Sequence, residues 1–311
     1  MSSGKAIRTA AWAAVALGAA APVVRRRLRL RPSTVIGAAA TAPAALCVAV
    51  PRSRARDVAV ACLQMWAYFA AYEMPADDPE RLRARVRVDY PVRSDTVLGL
   101  GRIPSVRLQQ ALHREGRYGL WEKVLVWSHW VWFAVPHTTA AYVLLRHRDQ
   151  FPQAAARIYA TFDLGAVVYW AVPTAPPWYA AETGRIDHGD GPPLRRLMRE
   201  YGERVFGARW GQLYGTLGGN PLAAMPSLHF GTSVAAAQVL RDIGPVQGVI
   251  GWTYASTLGF ALVYLGEHYV TDLIAGGALA EGVRRSAPRA ARPLGRLARL
   301  VSRLEARAQR G

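Results

Sequence analysis

Only two cysteines, Cys47 and Cys62, occur in the 311 residues. Both stand in apolar stretches, where cysteine behaves as a small buried hydrophobe, so neither a disulfide framework nor a cysteine metal site is expected. Lysine is as scarce: Lys5 and Lys123 are the only two, and the net charge of +18 is carried almost wholly by arginine. Internal repeats and low-complexity tracts are absent. Charge itself is sparse, at most two residues each, in segments 7–24, 57–74, 121–145, 155–173, 227–241, 246–265 and 271–283, which are rich in Ala, Val, Leu and Trp. About 20 apolar residues cross the ~30 Å of bilayer hydrocarbon. A basic chain can bind nucleic acid, but this apolar distribution excludes that class and implies an all-α, polytopic membrane helix bundle.

Orientation follows from the arginines that flank the spans. The stretch after 283 holds Arg284, Arg285, Arg289, Arg292, Arg296, Arg299, Arg303, Arg307 and Arg310. It is expected on the cytoplasmic side, as is the turn at Arg241-Asp242. Leu294, Leu297, Leu300, Val301 and Leu304 recur among these arginines at helical spacing, which predicts a basic amphipathic tail over 286–311. At the other end, Arg25-Arg26-Arg27 is a poor cleavage context, so 7–24 is expected to stay as a helix. The basic clusters 25–31 and 52–56 flank an apolar stretch, 34–50, that contains Pro43. Either 34–50 is a re-entrant hairpin or one cluster lies outside. The expected organisation is an N-terminal membrane region 1–56, a helical membrane domain 57–285 and the tail.

Two polar segments interrupt the spans. Residues 75–118 predict short helices over 79–88 and 106–112. Residues 174–224 form a long outer connection, and connections of this length are more often functional than idle. It opens with Pro173-Thr174-Ala175-Pro176-Pro177-Trp178, expected to be extended because a residue before proline avoids the helical region. It closes with a turn cluster, Gly218-Gly219-Asn220-Pro221.

The chemistry concentrates in two patterns, Pro226-Ser227-Leu228-His229 and His268-Tyr269-Val270-Thr271-Asp272. Both sit where apolar helices begin on the outer side. On a helix, His268 and Asp272 would share a face, and the carboxylate would take the Nδ1 proton of the imidazole, leaving Nε2 as base or nucleophile. Proline then serine opens a helix whose free amides attract phosphate, with His229 in its first turn placed to donate a proton. Two histidines with Asp272 and Glu267 also suit a divalent metal. Polar residues inside spans are usually paired. His137 is expected to pair with Asp163, His129 to line the pocket, and Gly276 and Gly277 to permit close helix packing.

The forms Ala224-Met225-Pro226-Ser227-Leu228-His229 and Gly266-Glu267-His268-Tyr269-Val270-Thr271-Asp272 resemble the type 2 phosphatidic acid phosphatase superfamily. Within it they are similar to the inositolphosphotransferase-like branch that includes inositol phosphorylceramide synthases. The strings 173–178 and 218–221 look like those of actinobacterial members. The resemblance covers roughly 120–285. It implies a six-helix phosphatase core with an extra N-terminal helix or hairpin, and a site at the extracytoplasmic face of the cell membrane. It also implies metal-independent, cofactor-free chemistry on a lipid phosphate or prenyl diphosphate. In that reading His268 attacks phosphorus, Asp272 orients it, His229 protonates the leaving oxygen and Ser227 contacts the phosphoryl group. The outcome is a lipid phosphatase, a phosphotransferase that moves a phospho-headgroup to an alcohol, or a prenyl-diphosphate ionising enzyme. The broader superfamily carries an arginine six residues before its nucleophilic histidine, and here that position is Leu262. Arg185, Arg195, Arg196 and Arg209 of the outer connection are the candidates to replace it, because arginine suits bidentate phosphate contact; Asn220 is a further phosphate-contact candidate.

Overall fold

The computed structural model describes residues 3–217 and 219–310, without the side chains of 214–217. Apolar runs and proline-opened helices organise the described chain into an all-α membrane helix bundle that divides into two compact units, residues 1–74 with 285–311, and residues 75–284.

In the first unit, α1 (Ser3–Val24), α2 (Pro32–Ala49) and α3 (Arg54–Glu73) pack side by side with the C-terminal turns of the chain. Segment 34–50 is therefore one helix and not a hairpin; Pro43 lies inside it. Arg56 is almost fully buried and donates to the carbonyls of Cys47 and Val50 and to Glu305 at 3.2, 3.0 and 2.7 Å. The tail divides its apolar residues. Val301 and Leu304 pack with Ile7, Ala11 and Val48, whereas Leu294, Leu297 and Leu300 face outward.

The second unit carries the short helices α4 (Pro79–Arg85), α5 (Asp89–Leu98) and α6 (Pro104–Leu112), then α7 (Leu120–Trp130), α8 (Ala134–Arg146) and α9 (Phe151–Ala171). The 174–224 connection folds into α10 (Pro177–Glu182), α11 (Leu197–Phe206) and α12 (Arg209–Leu217). Next come α13 (Leu228–Ile243) and α14 (Pro245–Tyr264), and α15 (Val270–Gln309) begins here. By length and apolarity α1, α2 and α14 suffice to cross a membrane. Helix α13 has only 16 residues, and segment 121–145 is interrupted by turns at 131–133.

Several contacts hold the end of this unit that carries the 174–224 connection in shape. Arg87, Thr174 and Ala223 form parallel bridges. The helix expected over 79–88 therefore ends at Arg85, because Arg87 leaves to pair with this connection. The proline string is extended only to Pro176, and Pro177 opens α10; proline suits that position because its missing N–H is not needed there. Gly219 has φ +47°, while Gly218 of the expected turn lies outside the described residues. Buried Glu122 accepts from Gly119 N at 2.7 Å and Tyr264 Oη at 2.6 Å, and its Oε1 lies 2.9 Å from His113 Nδ1. One carboxylate thus joins the ends of α6 and α14 to the start of α7. Tyr254 Oη donates to Ser128 O at 2.8 Å, fixing α7 on α14 directly beside His129.

Candidate active site

Two helices bring the two histidine patterns together because they touch through glycine. A Cβ on Gly276 would stand 2.3 Å from Ser227 O, and one on Gly231 would stand 2.8 Å from Gly276 O. Helix α13 therefore lies directly on the start of α15. Gly277 faces the Phe230 ring at ordinary contact distance, so of the glycine pair only Gly276 is required by the crossing. Ser227 N donates to Asp272 O at 2.9 Å, tying the two helix starts together.

Ser227 caps α13: its hydroxyl accepts from Phe230 N at 3.3 Å and it is fully buried. His229 follows in the first turn. The second pattern departs from the helical expectation, since α15 begins at Val270 and leaves His268 in the loop before it. What joins His268 to Asp272 is end-capping. Asp272 Oδ2 accepts from Tyr269 N at 2.9 Å and from His268 Nδ1 at 3.2 Å, as a carboxylate three residues into a helix reaches back to the cap. The loop itself hangs on Leu262. Its carbonyl accepts from both Glu267 N and His268 N, at 3.0 and 3.1 Å. Gly266 makes the turn at φ +78°, and a Cβ there would also meet Arg195 O at 2.9 Å.

The two imidazoles face each other, with His229 Nδ1 3.0 Å from His268 Nε2. Hydrogen bookkeeping assigns the protons. Ionised Asp272 can only accept, so His268 carries hydrogen on Nδ1 and offers the lone pair of Nε2. His229 then donates Nδ1–H to it. His129 stacks on His229 at 4.8 Å between centroids, and Trp132 packs on the same ring at 4.1 Å while donating Nε1–H to Thr232. Both His129 ring nitrogens are buried with no hydrogen-bond partner among the described residues.

Sequence reasoning missed Asp95. It is fully buried and accepts from Val270 N at 2.9 Å, Thr271 N at 2.9 Å and Thr271 Oγ1 at 2.7 Å. A carboxylate at a helix N-terminus satisfies orphan amides and complements the helix dipole. Local patterns give no sign of it, because its partners are 175 residues away. Asp95→Ala is expected to cost about 2–3 kcal/mol of stability by leaving buried amides unmet, and Thr271→Val about 1 kcal/mol. Thermal unfolding of both variants checks this, and equal melting points would refute it.

Other expected residues lie elsewhere. Arg185 is exposed and paired with Asp89 at 3.1 Å. Arg209 opens α12 in an exposed position. Asn220 is buried, and its Oδ1 accepts from Leu222 N at 3.2 Å, which fixes the turn before Ala223. Arg195 bonds Glu200 at 2.6 Å. Arg196 instead engages Glu267, the neighbour of His268, through Nε–Oε1 at 2.9 Å and Nη2–Oε2 at 3.2 Å. The pair expected between His137 and Asp163 is not formed. His137 Nδ1 donates to Phe133 O at 2.7 Å, the ring is surrounded by Phe133, Tyr159 and Phe162, and Nε2 has no partner among the described residues. A carbonyl one turn away on the same helix serves it instead of a carboxylate from α9.

Residues 107–283, from α6 to the first turns of α15, match the model of the PAP2 superfamily. The chain belongs to that superfamily. A curated relative, the inositol phosphorylceramide synthase of Candida albicans, is 29% identical over 164 residues, covering 50% of this chain and 34% of the relative. The chain thus spans about a third of that relative's length. No solved structure matches the chain. By length and composition, three helices of this superfamily member are apolar enough to cross a membrane.

Proposed function

We propose that the protein is a multi-pass enzyme that transfers the phosphoryl group of a lipid phosphate or diphosphate through a phosphohistidine on His268, with the site at the extracytoplasmic face. The observation that carries this reading is the 3.0 Å contact between His229 Nδ1 and His268 Nε2, backed by Asp272 on His268 Nδ1. The Nε2 lone pair bonds phosphorus as the bond to the lipid oxygen breaks. His229, as imidazolium beside the anionic phosphoryl group, gives its Nδ1 proton to that oxygen and becomes neutral. Water, or an acceptor alcohol, then bonds phosphorus and passes its proton to His229 as the P–Nε2 bond breaks. Both histidines return to their starting states. Holding the groups in line and meeting the transition-state charge supply the acceleration.

The outward orientation rests on the arginines after 283, which favour a cytoplasmic end for that stretch. Headgroup transfer is the second reading, favoured by the name of the fungal relative. One experiment separates the two. Purified protein is incubated with a panel of lipid phosphates, with and without inositol, while free phosphate and transferred headgroup are followed. Hydrolysis releases phosphate without inositol; transfer gives a product only with it. Turnover that survives EDTA and stops with vanadate is expected, and loss of turnover on chelation would overturn the metal-independent route.

A further inference from the structure

The residue before the proposed nucleophile is a buried glutamate, and buried charges are costly unless paired. Glu267 is 7% exposed, and its carboxylate is held by both Nε and Nη2 of Arg196. The guanidinium also lies 4.0 Å over the Trp178 ring. This arrangement is assembled from three distant stretches of chain. Trp178 N donates to Gly266 O at 3.2 Å. Gln109 Nε2 donates to Arg195 O at 2.9 Å and to Tyr264 O at 2.7 Å, while Arg195 N returns a bond to Gln109 Oε1 at 2.8 Å. The outer connection and the proline string are thereby stitched to the loop that carries His268.

The placement is costly as a stability device. A buried ion pair seldom outperforms an apolar substitute of the same volume, because both charges lose their hydration. It is well suited to an anion site. Glu267 directly precedes His268 in the chain, and His268 Nε2 faces His229 Nδ1 at 3.0 Å. The pair is therefore joined to the loop that carries the imidazole of His268 and is not at a remote surface. Leu262 contributes only its carbonyl to the loop, so α14 offers no cation at that position. Among Arg185, Arg195 and Arg196, exposure of the side chain falls from 57% to 32% to 13%. Stacking on Trp178 holds the planar fork in one orientation, which lowers the entropy lost when it binds an anion.

We propose that Arg196 is the residue that grips the phosphoryl oxygens, with Glu267 holding the guanidinium in the unliganded site and yielding one of its two bonds to the arriving anion. This rests on the proposed reading of the site, but its test does not need turnover. Inorganic phosphate is titrated into full-length protein in detergent and the melting temperature is followed, since a ligand of the folded state raises it.

Wild type is expected to be stabilised, and Arg196→Gln to weaken the apparent phosphate affinity by at least about tenfold, the loss of a charge-assisted bidentate contact. Arg196→Lys keeps a charge without the fork and is expected between the two, so it carries the test if the glutamine variant does not fold. Glu267→Gln removes the competitor and is expected to tighten phosphate. A purely structural pair would instead make the arginine and glutamate variants lose stability alike with phosphate affinity unchanged, and that result overturns the proposal. So does the absence of any phosphate-induced shift in wild type. If phosphate binding depends on Arg196 but no lipid phosphate is turned over, the anion site stands and the enzymatic reading falls.

Discussion

His268→Ala is expected to reduce phosphate release from the protein's lipid substrate by on the order of 10⁴-fold or more, the loss typical when a nucleophile is removed from a constellation that acts as a unit. The substitution deletes the imidazole that both His229 Nδ1 and Asp272 Oδ2 contact. A phosphohistidine is a phosphoramidate, labile to acid and stable to base. Wild type incubated with a substrate labelled on phosphorus and quenched in alkali should retain label on the protein, and acid should release it. His268→Ala should retain none. Label persisting in that variant would move the nucleophile elsewhere, and a variant that fails to melt cooperatively would be replaced by His268→Gln, which refills part of the space.

The second large effect is at Asp272, where the hydrogen-bond geometry separates two substitutions usually expected to behave alike. Oδ2 accepts both His268 Nδ1–H and Tyr269 N–H, while Oδ1 is buried with no partner among the described residues. An asparagine can place its carbonyl where Oδ2 stands and keep both bonds, its amide taking the place of Oδ1. His268 then retains the tautomer that leaves Nε2 free, and only the negative charge is lost. Asp272→Asn is therefore expected to lower kcat by about 10–100-fold, the value of one hydrogen bond to a charged group. Asp272→Ala removes the acceptor as well, frees the imidazole to turn and change tautomer, and is expected to cost about 10⁴-fold. Initial rates at saturating substrate, with melting temperatures as a folding control, check the order. An asparagine variant as inactive as the alanine variant would show that the amide has flipped and taken the wrong tautomer with it.

The all-α membrane class was legible because apolar runs and proline-opened helices are local signals. The histidines and Asp272 were also readable as a pattern, and the structure brings them together. The manner of their meeting was not readable. Four residues of spacing suggested one helical face, whereas the chain ends the helix two residues short of His268 and uses capping to make the same contact. Contacts across long stretches of sequence were invisible for a different reason. Asp95, Arg196 and Gln109 are polar residues in polar segments, and only folding reveals that each is buried against the site loop. The break at 131–133 was hidden by a run of apolar and aromatic residues that reads as continuous helix. His137 shows the converse. A rule about paired intramembrane charges pointed to a carboxylate, and a backbone carbonyl in the same helix served instead.

The contact of Gly231 with Gly276 has a mechanical consequence. His229 rides on α13 and His268 is anchored to the start of α15, so the 3.0 Å gap between the two imidazoles is set by the spacing of two rods. Hydrogen bonds weaken steeply once donor and acceptor separate by more than about half an ångström beyond contact. A methyl group at Gly276 would spread the rods by more than that.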